Sequence, residues 1–390
     1  MNVSGQAQVT RVFETPATAQ KDSALSALNL KINYLGFVKN NEYFNLVADG
    51  YTLLGHQLNV RAVLQTSPNY KLYIGGQFQK YMGLETFEKP VPYLGLEIYK
   101  GNSTFYFGKL NTTDNHYFSD ILYDFEQYLD TRHIENGLQH RFKNEHWQTD
   151  TWLQWEHFIF KGDNTRERLN FGQSTTYQKH FKNWNISLPL RLYIMHRGGQ
   201  INVRQQGQTL HNNAMVILNY AAGIALQKPI GNFLAGLKYM YFGQQINSDN
   251  TEELHFKQGY GQQIQILIQQ KNWQSALGYW QGHHFVAPKG NPVYQSISYR
   301  VEKFLDTNGQ PVSIFKNYTE PRRQLLTWQT MYKKEIFKNL WGAFVLDMYY
   351  QLNRSSIQTA YYSTSLYHQF DYATGLYLQY KFDFKLLKIK

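Results

Sequence analysis

Serine hydroxyls and 13 histidines are the side chains of this chain most able to do covalent chemistry, since cysteine is absent. That absence removes thiolate nucleophiles, disulfides and Cys-based metal sites together. A Ser–His device needs an imidazole within hydrogen-bond reach of the hydroxyl and a third group orienting it. On a strand, a histidine two residues before a serine would put both on one face. No histidine here has that spacing: His283-His284 precede Phe285 and Val286, and His368 precedes Gln369 and Phe370. Ser363 and Ser365 stand beside His368 in the reverse order. The expectation is therefore a protein that is not an enzyme.

Metal chemistry is equally poorly served. His283 and His284 are adjacent residues that a strand would point to opposite faces, and His255 with Glu252 and Glu253 reads as an exposed loop. Asp249, Asn250, Glu252 and Glu253 form an acidic stretch that could hold Ca²⁺ with lipopolysaccharide, but their spacing matches no EF-hand loop. Gly75-Gly76 and Gly198-Gly199 are followed by no helix that would complete a phosphate cradle. No metal and no cofactor are expected.

The elements that would position any such group are short alternating runs. Leu28, Leu30, Ile32 and Tyr34 interleave with Asn29, Lys31 and Asn33; Ile264, Ile266 and Ile268 with Gln263, Gln265 and Gln269; Leu376, Leu378 and Tyr380 with Tyr377, Gln379 and Lys381. Period-two alternation marks strands with one apolar and one polar face. Hydrophobic residues make up 42% of the 390, aromatics 16%, and mean hydropathy is −0.53. No run approaches the roughly 20 apolar residues of a membrane helix, whereas a barrel interleaves lipid-facing with lumen-facing residues and keeps its average hydropathy low.

Lys-Asn pairs punctuate these runs at 39–40, 143–144, 182–183, 271–272 and 338–339. Four are followed within three residues by Trp147, Trp184, Trp273 and Trp341, as tight hairpins with interfacial anchors along one edge of a membrane girdle would be. Short turns at 39–42, 67–70, 100–103, 143–146, 181–184, 228–232, 270–273 and 337–340 alternate with longer loops. This predicts an all-β transmembrane antiparallel up-and-down β-barrel over 1–390, a single domain of about 18 strands, with 16 or 20 as alternatives. The first strand would be Gln6–Phe13. A possible hairpin around Asp306-Thr307-Asn308-Gly309 is either two wall strands or an external flap. The opening residues carry no signal-peptide pattern, and both termini are expected in the periplasm.

Between the strand Thr104–Gly108 and Arg132 lies a stretch too apolar to wave in water, which also holds Asp120, Asp124, Glu126 and Asp130. Leu122, Phe125 and Leu129 are spaced for one face of a short helix. Residues 111–132 are thus a candidate inward-folded constriction loop or plug. Phe107-Gly108-Lys109-Leu110 followed by Tyr123-Asp124 resembles the constriction-loop region of general diffusion porins. The resemblance implies a loop bent into the lumen, facing basic residues on the opposite wall.

Lys31, Arg61, Lys71, Arg141, Arg191, Lys238 and Lys381 carry lumen parity and would form that wall, or pair with other lumen charges. The net charge is +11 without any basic helix or stripe, which excludes nucleic acid as the expected partner. Two functions remain open: a porin-like channel of the bacterial outer membrane for passive diffusion of small hydrophilic solutes, and a plugged barrel serving as a subunit or docking partner in an outer-membrane secretion, assembly or uptake complex. Expected partners are the lipid bilayer and lipopolysaccharide, with a homo-oligomer or complex subunits possible.

Overall fold

The computed structural model describes residues 27–45, 47–129, 134–161, 163, 165–198, 214–248, 256–305, 310–353 and 369–388. Its strands are β1 (Ala27–Glu42), β2 (Tyr51–Ser67), β3 (Tyr70–Tyr81), β4 (Val91–Lys100), β5 (Ser103–Lys109), β6 (Asn136–Lys143), β7 (Trp147–His157), β8 (Glu167–Phe181) and β9 (Trp184–Gly198). They continue with β10 (Met215–Ile230), β11 (Phe233–Ser248), β12 (Gln258–Gln270), β13 (Trp273–His283), β14 (Ile297–Leu305), β15 (Pro311–Thr319), β16 (Arg322–Phe337), β17 (Leu340–Gln351) and β18 (Phe370–Lys388). Sixteen close into one antiparallel barrel, each beside its sequence neighbour except where β13 pairs with β16 and β18 with β1. Closure leaves no unpaired edge, the condition for crossing hydrocarbon with strands.

The barrel thus has 16 strands, the lower of the two alternatives. Gln6–Phe13 lies outside the described residues, and the hairpin near Asp306 is a separate two-stranded sheet, β14–β15, in the connection between β13 and β16. The turn expected at 39–42 is instead the end of β1, where Lys39 is 1% exposed. The other Lys-Asn pairs do fall at hairpins. Lys182 (φ 53°) and Asn339 (φ 66°) take the left-handed backbone that a two-residue hairpin requires, and the Asn144 side chain accepts the Trp147 backbone N–H at 2.7 Å.

Alternation sorts the side chains as expected. Leu72, Ile74, Leu94, Phe107, Leu190, Ile266 and Leu376 are over half exposed on the outer face, where lipid replaces water. The inner face differs between the two ends. Toward the short turns it carries Lys31, Arg61 and Lys71; toward the long loops it carries Trp152, Tyr193, Met240, Phe242, Trp280 and Tyr349, all buried. Trp152 lies flat against the wall because its cross-strand neighbour is Gly172, where any Cβ would come within 2.0 Å of the indole.

Candidate functional site

Three loops descend among the inward aromatic side chains. Residues 43–48 are drawn in by Asp371 of β18, whose carboxylate accepts the backbone N–H groups of Phe44 (2.6 Å) and Asn45 (3.2 Å). The segment after β5 leaves the wall at Gly108, whose φ of 90° and a Cβ position 2.3 Å from the Leu94 carbonyl oxygen exclude other residues. The connection after β13 contributes Phe285 and Val293-Tyr294. The last two loops are stitched together: Asp124 N–H donates to the Lys289 carbonyl at 2.6 Å and Asn291 N–H to that of Asp120 at 2.7 Å. Phe118, Ile121, Leu122, Tyr123, Phe285, Val293 and Tyr294 then join Trp152, Tyr193, Phe242, Trp280 and Tyr349 in one continuous apolar core. A second core places Phe125 and Leu129 against Leu35, Phe37, Val345 and Tyr377. The expected short helix survives only as one 3₁₀ turn, Phe125–Leu129.

The loop is anchored at both ends by charge. At one end His116 is stacked on Trp152, with centroids 3.9 Å apart and planes at 11°. Its Nε2 meets Glu135 at 2.7 Å and its Nδ1 meets Asp150 of β7 at 3.1 Å. Tyr123 donates to Glu135 at 2.7 Å, and Arg141 of β6 donates to Asp150 at 2.8 Å. Burial works against a charge on His116, but the two carboxylates outweigh it and lift its pKa to about 9. Burial likewise pushes Glu135 up, yet the His116 charge and the hydrogen bonds from His116 and Tyr123 hold it below its ordinary value. With both ring nitrogens engaged, His116 has no lone pair to offer as a general base.

At the other end Glu126 meets Lys39 of β1 at 3.1 Å, accepts from Asn41 at 2.8 Å, and accepts a short hydrogen bond from the Tyr51 hydroxyl. Asp347 of β17 stands 3.8 Å from Lys39. Gln57 of β2 donates to the Tyr128 carbonyl at 2.8 Å. The loop therefore reaches from β7 to β1 and β2.

Of the four expected loop acids, Glu126 meets a wall cation, and that cation is Lys39, which had been read as a turn residue. Asp120 and Asp124 are pushed well above ordinary carboxylate values by burial and by neighbouring carboxylates. Asp130 lies outside the described residues. All seven expected wall cations lie on the inward register of their strands, but they are spread over two settings. Arg141 and Arg191 hold the loop, Arg191 by donating to the Tyr117 carbonyl at 2.6 Å. Lys238 shares the face of buried Met240 and Phe242, while Lys31, Arg61, Lys71 and Lys381 stand nearer the short turns. Trp147, Trp184 and Trp273 face outward at the starts of their strands. Trp341 shares the strand face of buried Ala343 and Val345 and so takes the inner face, its ring 5.6 Å from Lys333 Nζ.

His116, Glu135, Asp150, Lys39 and Asp347 were not legible as a set. The available signal was a histidine inside an acidic, aromatic loop and one aspartate, Asp150, on the inward register of Gln148 and Trp152. Among the described residues, contacts of a serine or threonine hydroxyl with an imidazole include His140 Nε2 to Ser103 Oγ (3.1 Å) and His157 Nε2 to Thr165 Oγ1 (3.0 Å). Neither has a carboxylate hydrogen-bonded to its histidine. No group of His, Asp and Glu among the described residues is arranged to hold a metal ion.

Several solved structures share the barrel. The loop L8 deletion mutant of OmpT, an outer membrane protein of Vibrio cholerae, superposes with TM-score 0.49 at 11% identity, covering 92% of this chain and 99% of that one. OpdL of Pseudomonas aeruginosa gives 0.49 at 10% identity over 92% and 99%, and the outer membrane protein OpdK of the same organism 0.45 at 8% over 92% and 100%. No curated protein matches the sequence. A family model described as Lipid A 3'-O-deacylase-type matches residues 19–389. The expectation of a protein that is not an enzyme is corrected by that match: hydrolysis is the reaction the family is named for. The chain is an outer-membrane β-barrel and belongs to the Lipid A 3'-O-deacylase-type family.

Proposed function

We infer that this family member is a plugged outer-membrane barrel acting on an acylated glycolipid of the lipid A class at its loop-side rim, with its loops outside and both termini periplasmic. The observation that carries the reading is the continuous core of loop and wall side chains filling the loop-side lumen, from Trp152 through Tyr123 and Phe285 to Tyr349. Solutes crossing a barrel need a hydrated path along the inner face. Side chains packed at interior density leave no room for one at that level. The porin-like channel is thereby disfavoured relative to a plugged barrel, and the family supplies the chemical class that the plug alone does not.

The rim suits an amphiphile. Trp155, Phe158 and Phe160 are 45%, 58% and 72% exposed where β7 runs into its loop. Arg168 stands beside them, 3.5 Å from Glu156, and Lys289 of the plug closes on the same carboxylate at 2.9 Å. Aromatic rings at a membrane boundary accept acyl chains on one side and headgroup sugars on the other, while guanidinium and ammonium groups favour phosphate.

The test is the mass of lipid A extracted from cells with and without the protein. Loss of one ester-linked acyl chain is expected. An unchanged lipid A population in cells shown to carry the folded barrel would reject the deacylase reading.

A further inference from the structure

Beneath the plug, on the short-turn side, the inner face of β18, β1, β2, β3, β4 and β5 forms a basic wall that none of the preceding chemistry uses. Its centre is Arg61. In the β1–β2 register Arg61 stands directly opposite Lys31, so two like charges face each other across one strand pair. Such pairs destabilise a sheet unless something neutralises them. Lys31 is bridged on its far side by Asp383 at 3.1 Å, a carboxylate that is itself 54% exposed. Arg61 has no such relief: its buried Nε lacks any hydrogen-bond partner.

The neighbouring cations repeat the pattern. Arg61 lies 5.5 Å from the Tyr73 ring, Lys71 Nζ 5.1 Å from Tyr99, and Lys109 Nζ 4.4 Å from Tyr93. A ring face is a weak partner for a cation, worth about 0.5–1 kcal/mol at an exposed site. Besides Asp383, Glu97 is an acid of this wall; it pairs with Lys71 in register and accepts a short hydrogen bond from the Tyr99 hydroxyl. The upper end of the wall is closed, because Tyr73 donates at 2.8 Å to the carbonyl of Lys109, where the chain turns into the plug. A ligand must therefore come from the turn side and be small.

We propose that Arg61, Lys71 and Lys109, with Lys31 at the rim, form a turn-side binding site for a small multivalent anion of the phosphate or polycarboxylate type. An anion seated between Arg61 and Lys31 would satisfy the orphaned Nε and remove the repulsion across the strand pair. Lys71 and Lys109, on either flank, favour a ligand with more than one negative group. This site is independent of the lipid-directed rim, which lies at the other end of the barrel.

The experiment is calorimetric titration of the full-length barrel in detergent micelles with inorganic pyrophosphate at fixed ionic strength. Saturable binding is expected, and Arg61→Gln combined with Lys71→Gln should weaken it about tenfold or more, the scale of losing charge-assisted hydrogen bonds. Lys161→Gln, in a long loop at the opposite end, should leave it unchanged. In parallel, pyrophosphate should protect Lys31 and Lys71 of the unsubstituted protein from amine acylation mapped by mass spectrometry, a readout that does not depend on the variant folding. Absence of saturable binding, equal affinities in all three proteins, or acylation indifferent to pyrophosphate would each overturn the site.

Discussion

The loop-side and turn-side halves of the lumen are built from the same sixteen strands and solve the problem of an enclosed interior in opposite ways. On the loop side charges of both signs are buried and meet one another: His116, Glu135, Asp150 and Arg141 share hydrogen bonds inside an aromatic shell, and Glu126 closes on Lys39. On the turn side positive charge outweighs the acids Glu97 and Asp383, with Arg61, Lys71 and Lys109 resting on tyrosine rings. A buried ion pair is tolerated only when its geometry is fully satisfied, which makes the upper half rigid. A half-hydrated basic wall needs no such satisfaction, which leaves the lower half able to receive an ion. The comparison teaches that lumen parity alone does not define a role for a lysine or arginine; its level in the barrel does.

The largest effect should come from erasing the contrast outright. Deleting residues 112–129 removes the central loop of the apolar plug together with Glu126 and His116, and planar-bilayer recordings should change from a closed baseline to steady conductance. Because the exposed lower wall is basic, the opened pore should prefer anions, and that preference should fade at 1 M salt, where screening acts over roughly 3 Å. Steady conductance of the intact chain equal to that of the deletion would mean that the packed core does not seal the loop side.

A smaller effect should come from discharging the upper network. His116 has a folded pKa of about 9 against an ordinary 6.5. Its stabilising contribution is therefore complete below pH 6.5 and is lost as pH rises through 9. The shift corresponds to about 3 kcal/mol. Protease protection of the 110–129 segment should fall between pH 7 and 10 in the native protein and show little pH slope in His116→Gln. Lys71→Gln, on the turn side, should change that protection by about 0.5 kcal/mol or less. An equal pH slope with and without His116 would assign the titration elsewhere.

Much of the upper wall and almost none of the network could be read from the chain. Alternation set the face of Arg191, Lys238 and Tyr193 because strand geometry leaves two choices, and Asn144 and Asn339 marked their turns through local hydrogen bonding and left-handed backbone. Lys39-Asn40 carries the same dipeptide, but what fixes Lys39 is Glu126 and Asp347, and no local rule connects residues so far apart. His116 was opaque for the same reason: its partners Glu135 and Asp150 come from beyond the loop's return. Trp341 stands two residues after its Asn, whereas Trp184 and Trp273 stand one and Trp147 three after theirs, so strand alternation alone turns it to the other face.

The smallest effect concerns that last residue. Quenching by lipids brominated at defined depths should place Trp147, Trp184 and Trp273 together near one headgroup layer. Trp341, studied as the sole tryptophan, should respond to aqueous quenchers added from the turn side and little to brominated lipid. Four indoles quenched alike by lipid would put Trp341 back on the outer face.

The contact between Lys39 and Glu126 has a consequence for assembly. β1 meets β18 at the pairing most distant in sequence, the joint whose loop-closure entropy is greatest. Lys39 stands on one strand of that joint and Asp371, which gathers the 43–48 loop, on the other. Sealing the cylinder and seating its contents are therefore one cooperative event: the interior acts as a mandrel on which the last seam is drawn shut, and a chain with a damaged plug should be slow to become a closed wall at all.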